Sequence, residues 1–230
     1  MSKNSTLWIN GIVYTPQKVI HNGRILVNSE GCIEAIGGSE LEAPPNTTVR
    51  DLNGYKMLPG FIDVHVHGGN GFHFMNGSYE HLDGMSRFHA MHGTTSFLAT
   101  TTTASEEKIN LALQCAADGM RKGMSGAELL GVHLEGPFIN HKRRGAQDPK
   151  YIRMPDLAEL ERYIQLSEHH IRLVTLAPEV EGGLQAVQYL VKRGITVSVG
   201  HSDATFQQVA DAVEYGANHT THHFNGMSPF

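Results

Sequence analysis

The sequence predicts an α/β protein: the first six strand–helix units of a TIM-barrel-like (β/α)8 barrel, incomplete at the C-terminus, behind a small N-terminal β domain. Three observations carry this. From residue 57 onward, short apolar runs alternate with longer amphipathic stretches, the pattern of a parallel sheet whose strands are joined by helices. Before residue 57 the apolar runs are separated by turns with no helical stretch between them. Finally, polar residues able to do chemistry stand at the C-terminal ends of successive strands. A barrel gathers those ends on one rim, whereas an open sheet spreads them along an edge.

In the β domain, placed at residues 1–55, runs 7–9 and 12–14 flank Asn10-Gly11, a dipeptide that predicts a tight hairpin. Runs 24–27 and 32–36 predict a second hairpin around 28–31, and 47–52 a further strand. No chemistry is visible there, and Trp8 reads as packing. Residues 56–230 are assigned to the barrel. Its strands are expected at 57–66, 95–101, 127–134, 171–177, 195–199 and 218–223, with helices at 79–91, 106–122, from 155, 183–192 and 205–215. Thr103 and Glu106 have capping-box spacing, as do Asp156 and Glu159, and Gly123 stands where a helix would be closed.

The 230 residues carry a formal charge of -5, from 18 Lys and Arg against 23 Asp and Glu, which argues against nucleic acid as a partner. No apolar run reaches membrane-spanning length, and no secretory signal is visible. Cys32 and Cys115 form no close pair. They are expected as two buried free thiols of a reducing compartment, which points to the cytoplasm. The basic run Lys142-Arg143-Arg144 reads equally as a solvated loop or an anion contact.

The donors at the strand ends are His65 and His67, Glu135, His201 and His222. His65 and His67 share a face because side chains repeat every two residues along a strand. Imidazole and carboxylate without thiolate suit zinc, iron, manganese or cobalt, in a catalytic rather than a structural site. Glu135, His201 and His222 would give one ion three ligands and an open position. His65 and His67 make room for a second ion, with Glu135 bridging. His133 could point with Glu135 but reads as packing, and His223 alternates toward the surrounding helices. Asn225-Gly226 reads as a plain turn or as backbone N–H groups cradling an anion.

Five stretches carry a family likeness: Pro59-Gly60-Phe61-Ile62-Asp63-Val64-His65-Val66-His67-Gly68, Gly93-Thr94-Thr95, His133-Leu134-Glu135-Gly136-Pro137-Phe138, Gly200-His201-Ser202-Asp203-Ala204 and Thr221-His222-His223-Phe224-Asn225-Gly226-Met227. On these the chain resembles the N-acetylglucosamine-6-phosphate deacetylases, a branch of the metal-dependent amidohydrolase superfamily. The resemblance implies a small β-sandwich domain beside the barrel, and Glu135, His201 and His222 as ligands of the principal metal. His65 and His67 would hold a second. It implies hydrolysis of N-acetyl-D-glucosamine 6-phosphate to D-glucosamine 6-phosphate and acetate, in cytoplasmic amino sugar metabolism, by a homodimer. Gln147 takes the place of a histidine that contacts the sugar phosphate in many members, and the backbone of Asn225 and Gly226 matches the part that touches the 6-phosphate. The family's catalytic aspartate follows the eighth strand, so it is expected beyond Phe230, and this chain alone is expected to be nearly inactive. A different metal-dependent amidohydrolase, of the kind using a carboxylated lysine after the fourth strand, is disfavoured by Thr175-Leu176-Ala177-Pro178-Glu179. A non-catalytic, metal-binding partial barrel is the remaining alternative.

Overall fold

Three Asn-Gly pairs lie in the N-terminal unit, at 10–11, 22–23 and 53–54, and none makes a hairpin turn. The computed structural model describes residues 4–229 and divides into two units, one ending at Gly60 and the other starting at Phe61. In the first, strand β1 (Thr6–Tyr14) runs straight through Asn10-Gly11 and pairs antiparallel with β2 (Val19–Val27), with register shifts on either side of Gly11. The expected turn at Asn10-Gly11 is therefore a bulge. Asn10 sits at φ 57, and a Cβ on Gly11 would lie 2.5 Å from Leu52 Cδ1. The other edge of β1 explains why the strand continues. It pairs in parallel with β4 (Thr48–Asp51) and β5 (Lys56–Met57), and the Asn10 carbonyl accepts from Gly54 N at 2.8 Å. Pairing on both edges outweighs the local turn preference. Strand β3 (Ile33–Gly37) joins β2 antiparallel, as expected, giving a five-stranded sheet. Cys32 is exposed rather than buried, because it lies in the β2–β3 connection; Cys115 is buried.

The second unit is strand–helix alternation. Strand β6 (Phe61–Val66) leads into the short antiparallel pair β7 (Gly68–Gly69) and β8 (Phe72–His73). There follow α1 (Tyr79–Met91), β9 (Thr94–Thr100), α2 (Glu106–Lys122), β10 (Glu128–Glu135), α3 (Leu157–Leu166), β11 (Ile171–Leu176), α4 (Gly183–Val191), β12 (Thr196–Val199), α5 (Phe206–Glu214) and β13 (His219–Thr220). The six strands β6, β9, β10, β11, β12 and β13 lie in that order, all parallel, as a half-barrel. Strands β9, β10 and β11 are buried almost end to end, as expected where helices cover a parallel sheet. The helices supply narrow apolar stripes: Ile109, Ala112, Leu113 and Ala116 on α2, and Gly183, Ala186, Val187 and Leu190 on α4.

The caps differ from expectation at two points. Ser105, not Thr103, caps α2, its hydroxyl accepting from Lys108 N, because the Thr103 N–H is taken by Gln147 Oε1 at 2.6 Å. Asp156 caps α3 by accepting from Glu159 N at 2.7 Å, but the Glu159 carboxylate turns instead to Arg153 and Tyr163. Thr205 and Gln208 complete a capping box on α5.

Asp83 ties α1 to the segment entering β10. Its carboxylate accepts from Ser125 N at 2.7 Å, from the Ser125 hydroxyl at 2.8 Å and from Arg87 Nη1 at 3.0 Å. Gly126 then presses so close that a Cβ would lie 2.4 Å from the Ser86 carbonyl oxygen. Burial raises the Asp83 pKa, but the Ser125 N–H and hydroxyl and the Arg87 charge outweigh it and hold the carboxyl below its ordinary 3.8. A depressed carboxyl contributes stability above its unfolded pKa and loses it as pH falls through the folded value. Asp83→Ala is expected to cost about 2 kcal/mol at neutral pH, with the deficit against wild type shrinking below pH 3.8. Urea melts at neutral and acid pH check this; a deficit independent of pH would contradict it.

Candidate metal centre

Each donor reaches the rim by a different local device. His65 and His67 come from the end of β6, where pairing with β9 is irregular between Asp63 and Val66. Side chains replace the missing ladder bonds. His65 N donates to Asp63 Oδ1 at 3.0 Å, Val66 N to Thr100 Oγ1 at 2.9 Å, and His133 Nδ1 to the Val64 carbonyl at 3.0 Å. Glu135 is the last residue of β10 and is 1% exposed. Gly136, at φ 69, turns the chain away just beyond it, where a Cβ would lie 2.2 Å from Thr103 Oγ1. His201 and His222 follow β12 and β13 with φ of 51 and 58. That left-handed backbone costs a non-glycine residue about 1–2 kcal/mol, the kind of strain that collects at functional sites.

The five predicted donors meet around one carboxylate. Glu135 Oε1 lies 2.9 Å from His222 Nε2, 3.2 Å from His201 Nε2 and 3.4 Å from His65 Nε2. Glu135 Oε2 lies 3.2 Å from His67 Nε2, and the Nε2 atoms of His65 and His67 are 3.2 Å apart. The ligand atoms of His65, Glu135 and His222 fall within 4.8 Å of one another. His65 therefore gathers with His201 and His222 about one carboxylate oxygen, while His67 faces the other.

Tautomers explain what this cluster needs. His67 Nδ1 donates to the Thr100 carbonyl at 3.1 Å and His201 Nδ1 to the Arg143 carbonyl at 2.9 Å, so in the neutral rings both Nε2 lone pairs face Glu135. Lone pairs and an anion can share such close quarters only with cations between them, either protons or a metal ion. Donor atoms bound to one zinc ion at its usual bond lengths stand roughly 3.0–3.5 Å apart, and the three imidazole nitrogens stand 2.9–3.4 Å from Glu135 Oε1. The residues fit a divalent ion.

Protons are the competitor. Burial lowers the His67 and His201 pKa, but the hydrogen bond and charge of Glu135 outweigh it and both end above 6.5. Burial likewise raises Glu135, yet the hydrogen bonds from His201, His65 and His67 hold it far below the carboxylate range. Burial, reinforced by the charges of His201 and His65, lowers His222. Because ligation needs neutral imidazoles, ion affinity is expected to rise as pH passes through the raised values of His67 and His201, with proton release on binding. Zinc titrations between about pH 6 and about pH 8 check this; an affinity flat with pH would refute it.

His133 does more than fill space. It is buried, faces His65 with ring centroids 4.7 Å apart, and holds the β6 carbonyl described above. Its Nε2 accepts from Thr175 Oγ1 at 2.7 Å, and that hydroxyl continues at 2.7 Å to Thr221 Oγ1 and a further 2.7 Å to Ser198 Oγ. Burial, with the charge of His65, pushes its pKa down to about 3, so the ring is neutral. The two-residue spacing from Glu135 was the available sign of its orientation; nothing in the sequence marked the hydroxyl chain. His223 is exposed and does not face the helices, because the chain turns immediately after β13; its Nδ1 lies 3.2 Å from Thr220 Oγ1. Lys142 and Arg143 pair with Asp203, and Arg144 donates to the Gly145 and Gln147 carbonyls.

Beside the donors lies a cavity of about 340 Å³ lined by Gly145, Ala146, Gln147, Asn225 and Gly226. Gly226 stands at φ 58, and its carbonyl accepts from Ser202 N at 3.1 Å.

A parallel (β/α) half-barrel with imidazoles and one buried carboxylate on its rim defines a class of metal-dependent hydrolase. The amidohydrolase family profile matches residues 57–229, and the chain belongs to that family. Within it, the chain is similar to hexosamine phosphate deacetylases. It is 39% identical over 221 residues to the N-acetylglucosamine-6-phosphate deacetylase of Bacillus subtilis (strain 168), covering 95% of this chain and 56% of that one. Over 185 residues it is 40% identical to the N-acetylgalactosamine-6-phosphate deacetylase of Escherichia coli O157:H7, covering 80% and 48% respectively. The structure of a Mycobacterium smegmatis N-acetyl-D-glucosamine-6-phosphate deacetylase variant, in complex with N-acetyl-D-glucosamine-6-phosphate, superposes with a TM-score of 0.88 at 33% identity, covering 98% of this chain and 57% of that chain. The chain spans about half the length of the curated relatives it matches.

Proposed function

We propose that the protein hydrolyses the acetamide of N-acetyl-D-glucosamine 6-phosphate, giving D-glucosamine 6-phosphate and acetate. The observation that carries this is the Glu135 carboxylate ringed by four imidazoles at the mouth of a cavity that also reaches Asn225 and Gly226. Glu135, His201 and His222 would hold the principal zinc, iron, manganese or cobalt ion, with His65 and His67 extending the set toward a second. A bound ion supplies Lewis-acid polarisation of the amide carbonyl and lowers the pKa of attacking water toward neutrality. The protein's own groups orient the reactants. His133 keeps β6 and its two donors in register, Arg143 fixes the His201 tautomer through its carbonyl, and the Asn225-Gly226 backbone meets the sugar's phosphate end.

In this reading residues 56–230 are the first six units of a (β/α)8 barrel, and residues 1–55 belong to a β-sandwich domain. In the same reading the functional unit is a cytoplasmic homodimer.

The test is acetate release from N-acetyl-D-glucosamine 6-phosphate by protein expressed from its whole gene. Release that stops with a chelator, returns with a divalent ion and fails on unphosphorylated N-acetyl-D-glucosamine is expected. A metal-loaded protein that releases no acetate from any 2-acetamido sugar phosphate would overturn the reading.

A further inference from the structure

Gln147 lies in the loop after β10, twelve positions beyond Glu135, yet returns to touch it. The residue is 7% exposed, and each end of its amide has a partner. The Nε2 group donates to Glu135 Oε2 at 2.8 Å, and Oε1 accepts from Thr103 N at 2.6 Å. The partners fix the orientation: a backbone N–H can only donate and a carboxylate can only accept, so the amide fits one way round. The loop is closed on itself as well, with Gln147 N donating to the Arg144 carbonyl at 3.0 Å and Arg144 Nη1 to the Gln147 carbonyl at 3.2 Å.

The consequence falls on Glu135. A carboxylate turns freely about its last bond unless something holds it. Here Oε2 is held by Gln147 on the side facing His67, which leaves Oε1 directed at His65, His201 and His222. Gln147 does this without charge. A cationic donor in its place would offset the single negative charge among the five donors and repel an ion; a neutral amide holds the carboxylate and leaves that charge intact.

We propose that Gln147 is a positioning residue for the metal centre, acting through Glu135 and Thr103. This rests on the reading of Glu135 as a metal ligand. The full-length protein is compared with Gln147→Met, which matches volume without polar atoms, and Gln147→Ser, which admits water to Thr103 N and so spares folding. Zinc affinity is measured by chelator competition, and ligand geometry by the visible spectrum of the cobalt-loaded protein. Both variants are expected to bind zinc about 10- to 100-fold more weakly and to shift the cobalt bands. At saturating zinc, KM for N-acetyl-D-glucosamine 6-phosphate should be unchanged. Wild-type zinc affinity in both variants, or in the one that folds, overturns the proposal, as does a raised KM with unchanged zinc affinity. Failure of the wild type itself to bind zinc, cobalt, iron or manganese would instead refute the metal reading on which the proposal stands.

Discussion

Glu135→Gln is expected to remove divalent-ion binding and, with it, the acetate release proposed above. The substitution keeps the shape of the side chain and removes the one negative charge around which four imidazoles converge. Loss of a supporting residue costs a metal site about 10- to 100-fold in affinity; loss of this central ligand should exceed about 100-fold. The same change abolishes the main influence that raises His67 and His201, so both should titrate at lower pH than in the wild-type protein. Chelator competition measures the first effect, and NMR titration of the imidazole signals in metal-free protein the second. Ion binding at wild-type strength by Glu135→Gln would end the case for a metal centre here.

The largest expected loss of stability belongs to Glu159→Ala. Glu159 is 6% exposed on α3, where its carboxylate meets Arg153 and the Tyr163 hydroxyl. Arg153 also donates to the Tyr163 oxygen at 2.7 Å and to the Tyr151 carbonyl at 2.9 Å, and it reaches the Ala104 carbonyl ahead of α2. Burial and the neighbouring Glu159 raise the Tyr163 pKa, so its hydroxyl is a permanent donor. Truncation leaves a half-buried guanidinium without its anion, a change that costs about 3–5 kcal/mol when a buried pair is broken. The fall in melting temperature should be roughly 10 °C. Glu161→Ala is the control. Glu161 stands on the same helix and pairs at the surface with Arg193, which follows α4, so its loss should be much smaller. Equal melting temperatures for the two variants would show that the Arg153–Glu159–Tyr163 cluster is not the tie proposed.

Local signals proved reliable where a strand or helix is closed by its own neighbours. The helix expected at 106–122 has those bounds, and the Asp156 cap forms. They failed where a partner distant in sequence competes. Asn10-Gly11 has every local mark of a turn, yet β2 on one edge and β4 and β5 on the other hold it as a bulge. Thr103 has the right spacing to cap α2, but Gln147 takes its N–H.

The sequence by itself determined which atoms are available at the rim. The two-residue repeat of a strand and the placement of polar residues at strand ends are local properties, so His65, His67, Glu135, His201 and His222 could be read off in order. Only the tertiary structure decided how they divide. His65 gathers with His201 and His222 about one oxygen of Glu135, while His67 and Gln147 face the other. The physical reason is separation along the chain. The rotation of one carboxylate is set by hydrogen bonds from four different loops, and no periodicity in any one of them encodes where the others end.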